Sequence, residues 1–458
     1  MIACQNCGAN VKFDIASQKM RCEYCDSYFD PYSFDKKESD GIELKDFDAT
    51  VFICPQCGGE ILSTDDTAAG FCSFCGASTI LHSRIQKENR PNYIIPFRKT
   101  KDDCKQAYSD LMKKAIFAPK ELKDPKYIDG FRGIYMPYWT YYITQKGPFI
   151  MNGKKQHRSG DYIVSDHYEL IGNLDAYYKG ISFDASSSFA DNISEALAPY
   201  DVKGMKAFTP AYLSGFYADT ADVSADTYKP QAVEIAETAT QNQITGTSQF
   251  SAFTLETDVL AATADALDKT LNTSNVPKRH SGAHGYTTKF ESIDYSMFPV
   301  WFMSYRNGDR VAYATVNGQT GKVVADLPVD EKKFVGGSFI LALPIFLLLC
   351  LLFTPTPMTS LVVTGIISVI TGIIYFLQLR KIEDKKKKYT GPVFLIISLV
   401  LFVGIALFKP VRDMWYYLAC ILLTVSDFVT LTEIIAAYNV LSTRELPQFN
   451  HKGGDDRA

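Results

Sequence analysis

Cys4 and Cys7, then Cys22 and Cys25 after fourteen intervening residues, form a C-x2-C-x14-C-x2-C unit. Cys54, Cys57, Cys72 and Cys75 form a second with the same spacing, displaced by fifty positions. Two thiolate pairs carried on separate turns can close a tetrahedron around Zn2+ at about 2.3 Å per sulfur. Four thiolates also saturate the ion and leave no place for a reactive water, so the expected cofactors are two structural Zn2+ ions, one per unit. Repetition in register marks a duplicated module. Each unit is too small to fold on its own apolar core, so bound metal has to supply the missing stability. Disulfides are the competing reading. They are disfavoured because residues 1–5 show neither a basic n-region nor an apolar h-region, which places the N-terminus in a reducing cytosol.

The residues around the cysteines fit turns that carry ligands. Gly8, Gly58 and Gly76 directly follow second cysteines, where positive φ costs glycine little, and Asp26 holds the fourth such place. Val11 and Ile61, with Tyr24 and Phe74, recur at matching places as the expected apolar contacts of two zinc ribbons, residues 1–33 and 50–83. Residues 34–49 between them are charged and read as a solvated linker. Residues 1–83 contain six Lys or Arg against thirteen Asp or Glu, and each four-thiolate zinc site adds about −2 more. Such a module repels phosphates, so nucleic acid is a disfavoured partner and protein contact the favoured one.

Residues 89–330 read as an α+β soluble domain. Thr100 and Asp103 resemble a capping box opening a helix with Cys104, Ala107, Tyr108, Leu111, Met112 and Ala115 on one stripe. Residues 134–143, tyrosine-rich and interrupted by Pro137, read as an edge strand. Pro230 suits the first turn of a helix running to about Gln241. Residues 298–305, 311–316 and 322–324 read as strands joined at Asn307-Gly308 and Asn317-Gly318. No catalytic constellation emerges, so no enzyme is expected. Gly318-Gln319-Thr320-Gly321-Lys322 spaces its glycines wrongly for a phosphate loop and has Val323 where Ser or Thr is needed. His280 and His284 flank Ser281-Gly282 in a loop-like stretch, and His157 and His167 read as surface or packed residues.

Beyond Lys333 the composition changes to apolar. Residues 334–353, 361–379, 392–408 and 415–440 are four apolar runs near the roughly 20 residues that cross a bilayer, giving a four-helix transmembrane segment over 334–441 and a polar tail at 442–458. Residues 380–388 carry six basic side chains and residues 354–360 none. Short basic loops stay cytoplasmic, so both termini are expected there, on a multi-pass protein of the cell membrane. Asp427 and Glu433 fall within the fourth run. An ionised aspartate in that position needs compensation, from a partner helix, a proton, or the neighbouring hydroxyls of Ser426, Thr430 or Thr432, the last being the expected reading for Asp427.

The tandem ribbons, Phe117-Ala118-Pro119-Lys120-Glu121-Leu122, Gly133-Ile134-Tyr135-Met136-Pro137-Tyr138-Trp139, Phe298-Pro299-Val300-Trp301 and Val316-Asn317-Gly318-Gln319-Thr320-Gly321-Lys322 together resemble a bacterial family. It is the TFIIB-type tandem zinc-ribbon membrane proteins that occur with phage-shock or envelope-stress genes, often labelled primosomal-helicase-like. The helicase label does not suit a chain without a phosphate-binding loop. The resemblance implies an adaptor or scaffold that recruits cytosolic and membrane proteins to the inner face of the lipid bilayer. A membrane-tethered nucleic-acid regulator and a small ion-coupled transporter are the alternatives, and homo- and hetero-oligomers both remain open.

Overall fold

The computed structural model describes residues 2–35, 46–63, 72, 74–75, 82–247, 252–255, 286–352, 356–379, 391–408 and 410–445. Gly76, His280, His284, the basic stretch 380–388 and the tail from 446 onward lie outside them.

The first cysteine unit folds as a three-stranded antiparallel sheet of Val11–Asp14, Lys19–Cys22 and Tyr28–Phe29. The second builds its hairpin from Asp46–Ile53 and Glu60–Ser63. That hairpin does not stand alone. Asp46–Ile53 also pairs with His82–Asn89, and Glu60–Ser63 with Tyr217–Ala218, so the second unit forms one end of a thirteen-stranded sheet. Residues 46–49, read from composition as linker, are therefore strand. The alternation Asp46-Phe47-Asp48 sends one apolar side chain inward, and Phe47 is buried against Phe208 with ring centroids 5.4 Å apart. The remainder of that stretch, residues 36–45, lies outside the described residues.

The soluble domain mixes sheet and helix. Its centre is the strand Arg132–Ser159, paired with Tyr162–Asp184 on one side and Thr287–Asn307 on the other. A two-residue turn at Gly160-Asp161, with Gly160 at φ +63°, closes the first of these hairpins. Residues 134–143 are thus central, not edge. Pro137 is tolerated because its carbonyl still accepts from the Ala185 amide at 2.8 Å, and proline withholds only its own N–H. The capping box forms as expected: Thr100 and Asp103 cap the helix Lys101–Lys114, which buries Cys104, Tyr108 and Met112. Pro230 lies in the first turn of Lys229–Gly246. Arg310–Asn317 and Val323–Ala325 complete the sheet after Thr287–Asn307.

Four apolar helices follow: Glu331–Leu352, Pro357–Leu379, Gly391–Phe408 and Met414–Leu441. Among the described residues two stretches are long and apolar enough to cross a membrane, Pro357–Leu377 and Met414–Leu441. The expectation of four therefore narrows to two by that measure. The first helix starts on Glu331-Lys332-Lys333 and contains Pro344, and the third has 18 residues, at the short end of the spanning range. Large apolar side chains such as Phe339, Ile340, Phe376 and Phe408 point outward from the helices, which is how a lipid-facing surface looks.

The soluble domain grips both ends of this helical region. Lys333 Nζ donates to the Ala118 carbonyl at 2.6 Å, and Phe117 packs on Phe334 at 5.1 Å. At the other end Arg310 donates to the Val440 and Thr443 carbonyls and to Thr443 Oγ1, each at 2.6 Å. A guanidinium placed on the last carbonyls satisfies orphan acceptors and opposes the negative end of the helix dipole. Arg444–Glu445 then adds a short strand to Arg310–Asn317.

Candidate metal centres

The spacing-predicted ligands converge. Cys4, Cys7, Cys22 and Cys25 form one quartet, and Cys54, Cys57, Cys72 and Cys75 another, with all sulfurs of each quartet within 4.8 Å of one another. Cys4–Cys25 and Cys7–Cys22 stand at 3.6 and 3.5 Å, and Cys54–Cys75 and Cys57–Cys72 at 3.8 Å. A regular tetrahedron with metal–sulfur bonds of about 2.3 Å has edges of about 3.8 Å, whereas a disulfide needs about 2.05 Å. None of the eight cysteines is in a disulfide, and each quartet suits a four-coordinate metal ion.

Backbone turns hold the sulfurs. In the first quartet the Gly8 amide donates to the Cys4 carbonyl at 2.9 Å and the Asp26 amide to the Cys22 carbonyl at 2.9 Å; in the second the Gly58 amide donates to Cys54 at 2.8 Å. Gly8, Gly58 and Asp26 have φ of +77°, +75° and +53°. Aspartate occupies this conformation at modest cost, and Arg21 anchors its carboxylate at 2.7 Å.

The two quartets differ in setting. All four cysteines of the second are buried, whereas Cys7 and Cys25 of the first are exposed. Phe52, Ile61 and Phe74 wall the second, and Phe74 packs edge-on against Phe302 of the central sheet at 6.2 Å. In the first, the Ser27 hydroxyl and amide hold Cys25 down at about 6. The Ala9 amide pulls Cys7 down, but desolvation and the surrounding thiols outweigh it and push Cys7 up to about 12. A metal ion displaces the remaining protons, because only thiolates ligate.

The first ribbon docks on the soluble domain. Phe13 meets Tyr212 edge-on at 5.1 Å, its amide donates to the Ser214 carbonyl at 3.1 Å, and Gln18 Nε2 donates to the Phe97 carbonyl at 2.7 Å. Val11 and Ile61 are buried as their repeat positions suggested, and so is Phe74, but Tyr24 is 83% exposed. The repeat symmetry fails at Tyr24 because the sheet that covers Phe74 has no counterpart over the first ribbon.

The two acids of the last apolar helix find their partners on a neighbouring helix. Ser368 donates to Asp427 Oδ2 at 2.7 Å and Tyr375 to Glu433 at 3.0 Å, both from Pro357–Leu379. Thr430 and Thr432, near Asp427 in sequence, instead donate to the Ser426 and Val429 carbonyls of their own helix. The signal was present: Ser368 and Tyr375 stand seven apart, about two helical turns, matching Asp427 and Glu433 at six. Gly318-Gln319-Thr320-Gly321-Lys322 is a hairpin turn, with Asn317 Oδ1 accepting from the Gln319 and Thr320 amides at 2.9 Å. The positive φ falls on Gly321, at +84°, while a Cβ on Gly318 would meet the Phe97 ring at 2.6 Å. Cys104 is core, its thiol pushed up by burial. His157 is exposed beside Asp166 at 3.3 Å, and His167 is exposed.

No family model matches the chain, and no solved structure matches it. Over 348 residues it is 28% identical to the uncharacterized protein YdjG of Bacillus subtilis (strain 168), an alignment spanning 74% of this chain and 94% of that protein.

Proposed function

We propose that this chain is a membrane-anchored zinc-ribbon adaptor that works by binding rather than catalysis, recruiting cytosolic proteins to the inner face of the membrane in an envelope-stress setting. The observation that carries the reading is Tyr24. It is 83% exposed between Cys22 and Cys25 of the first quartet, on a ribbon that Phe13 docks on the soluble domain. An exposed tyrosine on a metal-braced turn offers contact area at little entropic cost, which suits protein recognition. Zn2+ is the ion of choice for four thiolates in a tetrahedron of this size.

All four apolar helices cross the membrane in this reading, with both ends cytoplasmic. Support comes from the soluble domain holding both Lys333 and Val440, since one domain can grip both ends of the segment only if the chain crosses an even number of times. The hydroxyl partners of Asp427 and Glu433 support a role for these acids in holding helices together.

The test is a detergent-solubilised pull-down with Tyr24→Ala in the full chain, with zinc and circular dichroism measured on the same samples. Loss of a partner with metal content and fold unchanged supports the adaptor. Retention of every partner counts heavily against it.

A further inference from the structure

We infer that a cavity between helix Asp191–Leu197 and the end of strand Tyr162–Asp184 binds a protonated organic amine with an apolar body. The cavity measures about 290 Å3, near the lower end of small-molecule pockets at roughly 300 Å3. Among the described residues its charged lining is Asp184, Asp191 and Glu195, with no Lys or Arg. Three carboxylates sharing one concave wall without a protein cation favour a cationic guest.

Asp184 specifies the kind of cation. It is 4% exposed, and the Ser194 side chain and the Ser186 backbone lie close enough to favour its charged form, though not enough to offset burial. Ser194 is in turn fixed by the Tyr138 hydroxyl at 2.8 Å. Asp184 Oδ1, by contrast, is buried without any hydrogen-bond partner. Such an acceptor is costly unless something donates to it, and an ammonium N–H does so where a quaternary ammonium cannot. Burial, with Asp191 nearby, lifts the Asp184 carboxyl to about 7, as expected for an acid held without a counter-ion.

Aromatic rings form part of the remaining lining. Phe183 and Tyr228 stack at 5.0 Å, and Tyr138 and Phe298 at 4.3 Å. Ring faces accept both a cation and the apolar body attached to it. A metal ion fits less well. Among the described residues the groups of three or more ligands close enough to hold one are the two cysteine quartets, so these carboxylates do not converge on a point.

Isothermal titration of the full chain at about pH 8, above the point where Asp184 gives up its proton, in neutral maltoside detergent tests this, with 2-phenylethylammonium as probe and 2-phenylethanol as its uncharged counterpart. Saturable binding of the amine is expected, weakened about tenfold or more when the charge is removed from the ligand or, by Asp184→Asn, from the protein. Tyr228→Ala is expected to weaken it about threefold. Should Asp184→Asn fail to fold by circular dichroism, Glu195→Gln and Tyr228→Ala carry the same test. Equal binding of amine and alcohol, unchanged binding in the folded variants, or no saturation up to about 10 mM, ten times a weak Kd of about 1 mM, overturns the proposal.

Discussion

The two quartets should release their metal on widely separated timescales. Cys7 and Cys25 are exposed, so a chelator can approach the first site without moving the backbone. Among the described residues the second site offers no such approach. Its four cysteines are buried, and Phe52, Ile61 and Phe74 around them are 1%, 2% and 1% exposed. Access requires an opening that exposes these three side chains at about 2 kcal/mol each, about 6 kcal/mol together. At about 1.4 kcal/mol per decade that slows release about ten-thousandfold. Residual contacts in the opened state trim the figure, leaving about a thousandfold or more. The assay is stopped-flow release of zinc from the full chain in neutral detergent, with excess chelator and a colorimetric indicator. The expected trace has two phases of one ion each, and Cys25→Ser should abolish only the fast one. A single phase containing both ions, or loss of the slow phase in Cys25→Ser, would refute the assignment of lability to burial.

Replacing Arg310 by Ala should lower stability in detergent by about 2–4 kcal/mol, because it strips a charged donor from the carbonyls ending Met414–Leu441; Lys should restore only part, and an unchanged melting temperature would contradict this. A double-mutant cycle of Ser368→Ala and Asp427→Asn should give a coupling of about 0.6–1.7 kcal/mol, whereas additive effects would remove the 2.7 Å bond between them as a helix tie. Asp184 keeps its proton in the folded chain up to about 7 but loses it near 3.8 when unfolded. The folded state therefore binds more protons between those values, and stability falls as pH rises through that window, by up to about 4 kcal/mol. Denaturant unfolding of Asp184→Asn between those pH values should show a flatter profile than the parent, and parallel profiles would refute it.

What could be read from the chain follows from how local the physics is. The cysteine quartets were legible because a C-x-x-C turn places two sulfurs on one ion through short-range backbone geometry, and two such turns complete the set. The Thr100 cap was legible for the same reason, since Asp103 answers it within one turn. The docking of the ribbons was not. Phe13 contacts Tyr212, and Glu60–Ser63 pairs with Tyr217–Ala218, contacts between distant parts of the chain that no local pattern announces. The two repeats look alike in spacing, yet one has become the end of a large sheet and the other a docked cap. Burial therefore separates Phe74 from Tyr24 where the sequence makes them equivalent.

That divergence bears on how the helical region and the ribbons work together. A duplicated module whose copies were both free would present two equivalent surfaces on a flexible tether. Here the second copy is fused to the sheet whose Arg310 holds the last apolar helix, in the domain whose Ala118 carbonyl holds Lys333 of the first. The first copy is fixed to the same domain by Phe13, Gln18 and the Arg90–Asp35 ion pair at 2.9 Å. The exposed Tyr24 turn is thereby held at a set position relative to the helical region rather than swinging on a linker. A partner bound there gains from preorganisation, since ordering of the ribbon is already paid for by folding. Weakening the dock should then cost affinity even with the turn intact: Phe13→Ala should reduce partner capture while leaving the metal count unchanged. Undiminished capture by a folded Phe13→Ala chain would show that the ribbon binds as an independent bead.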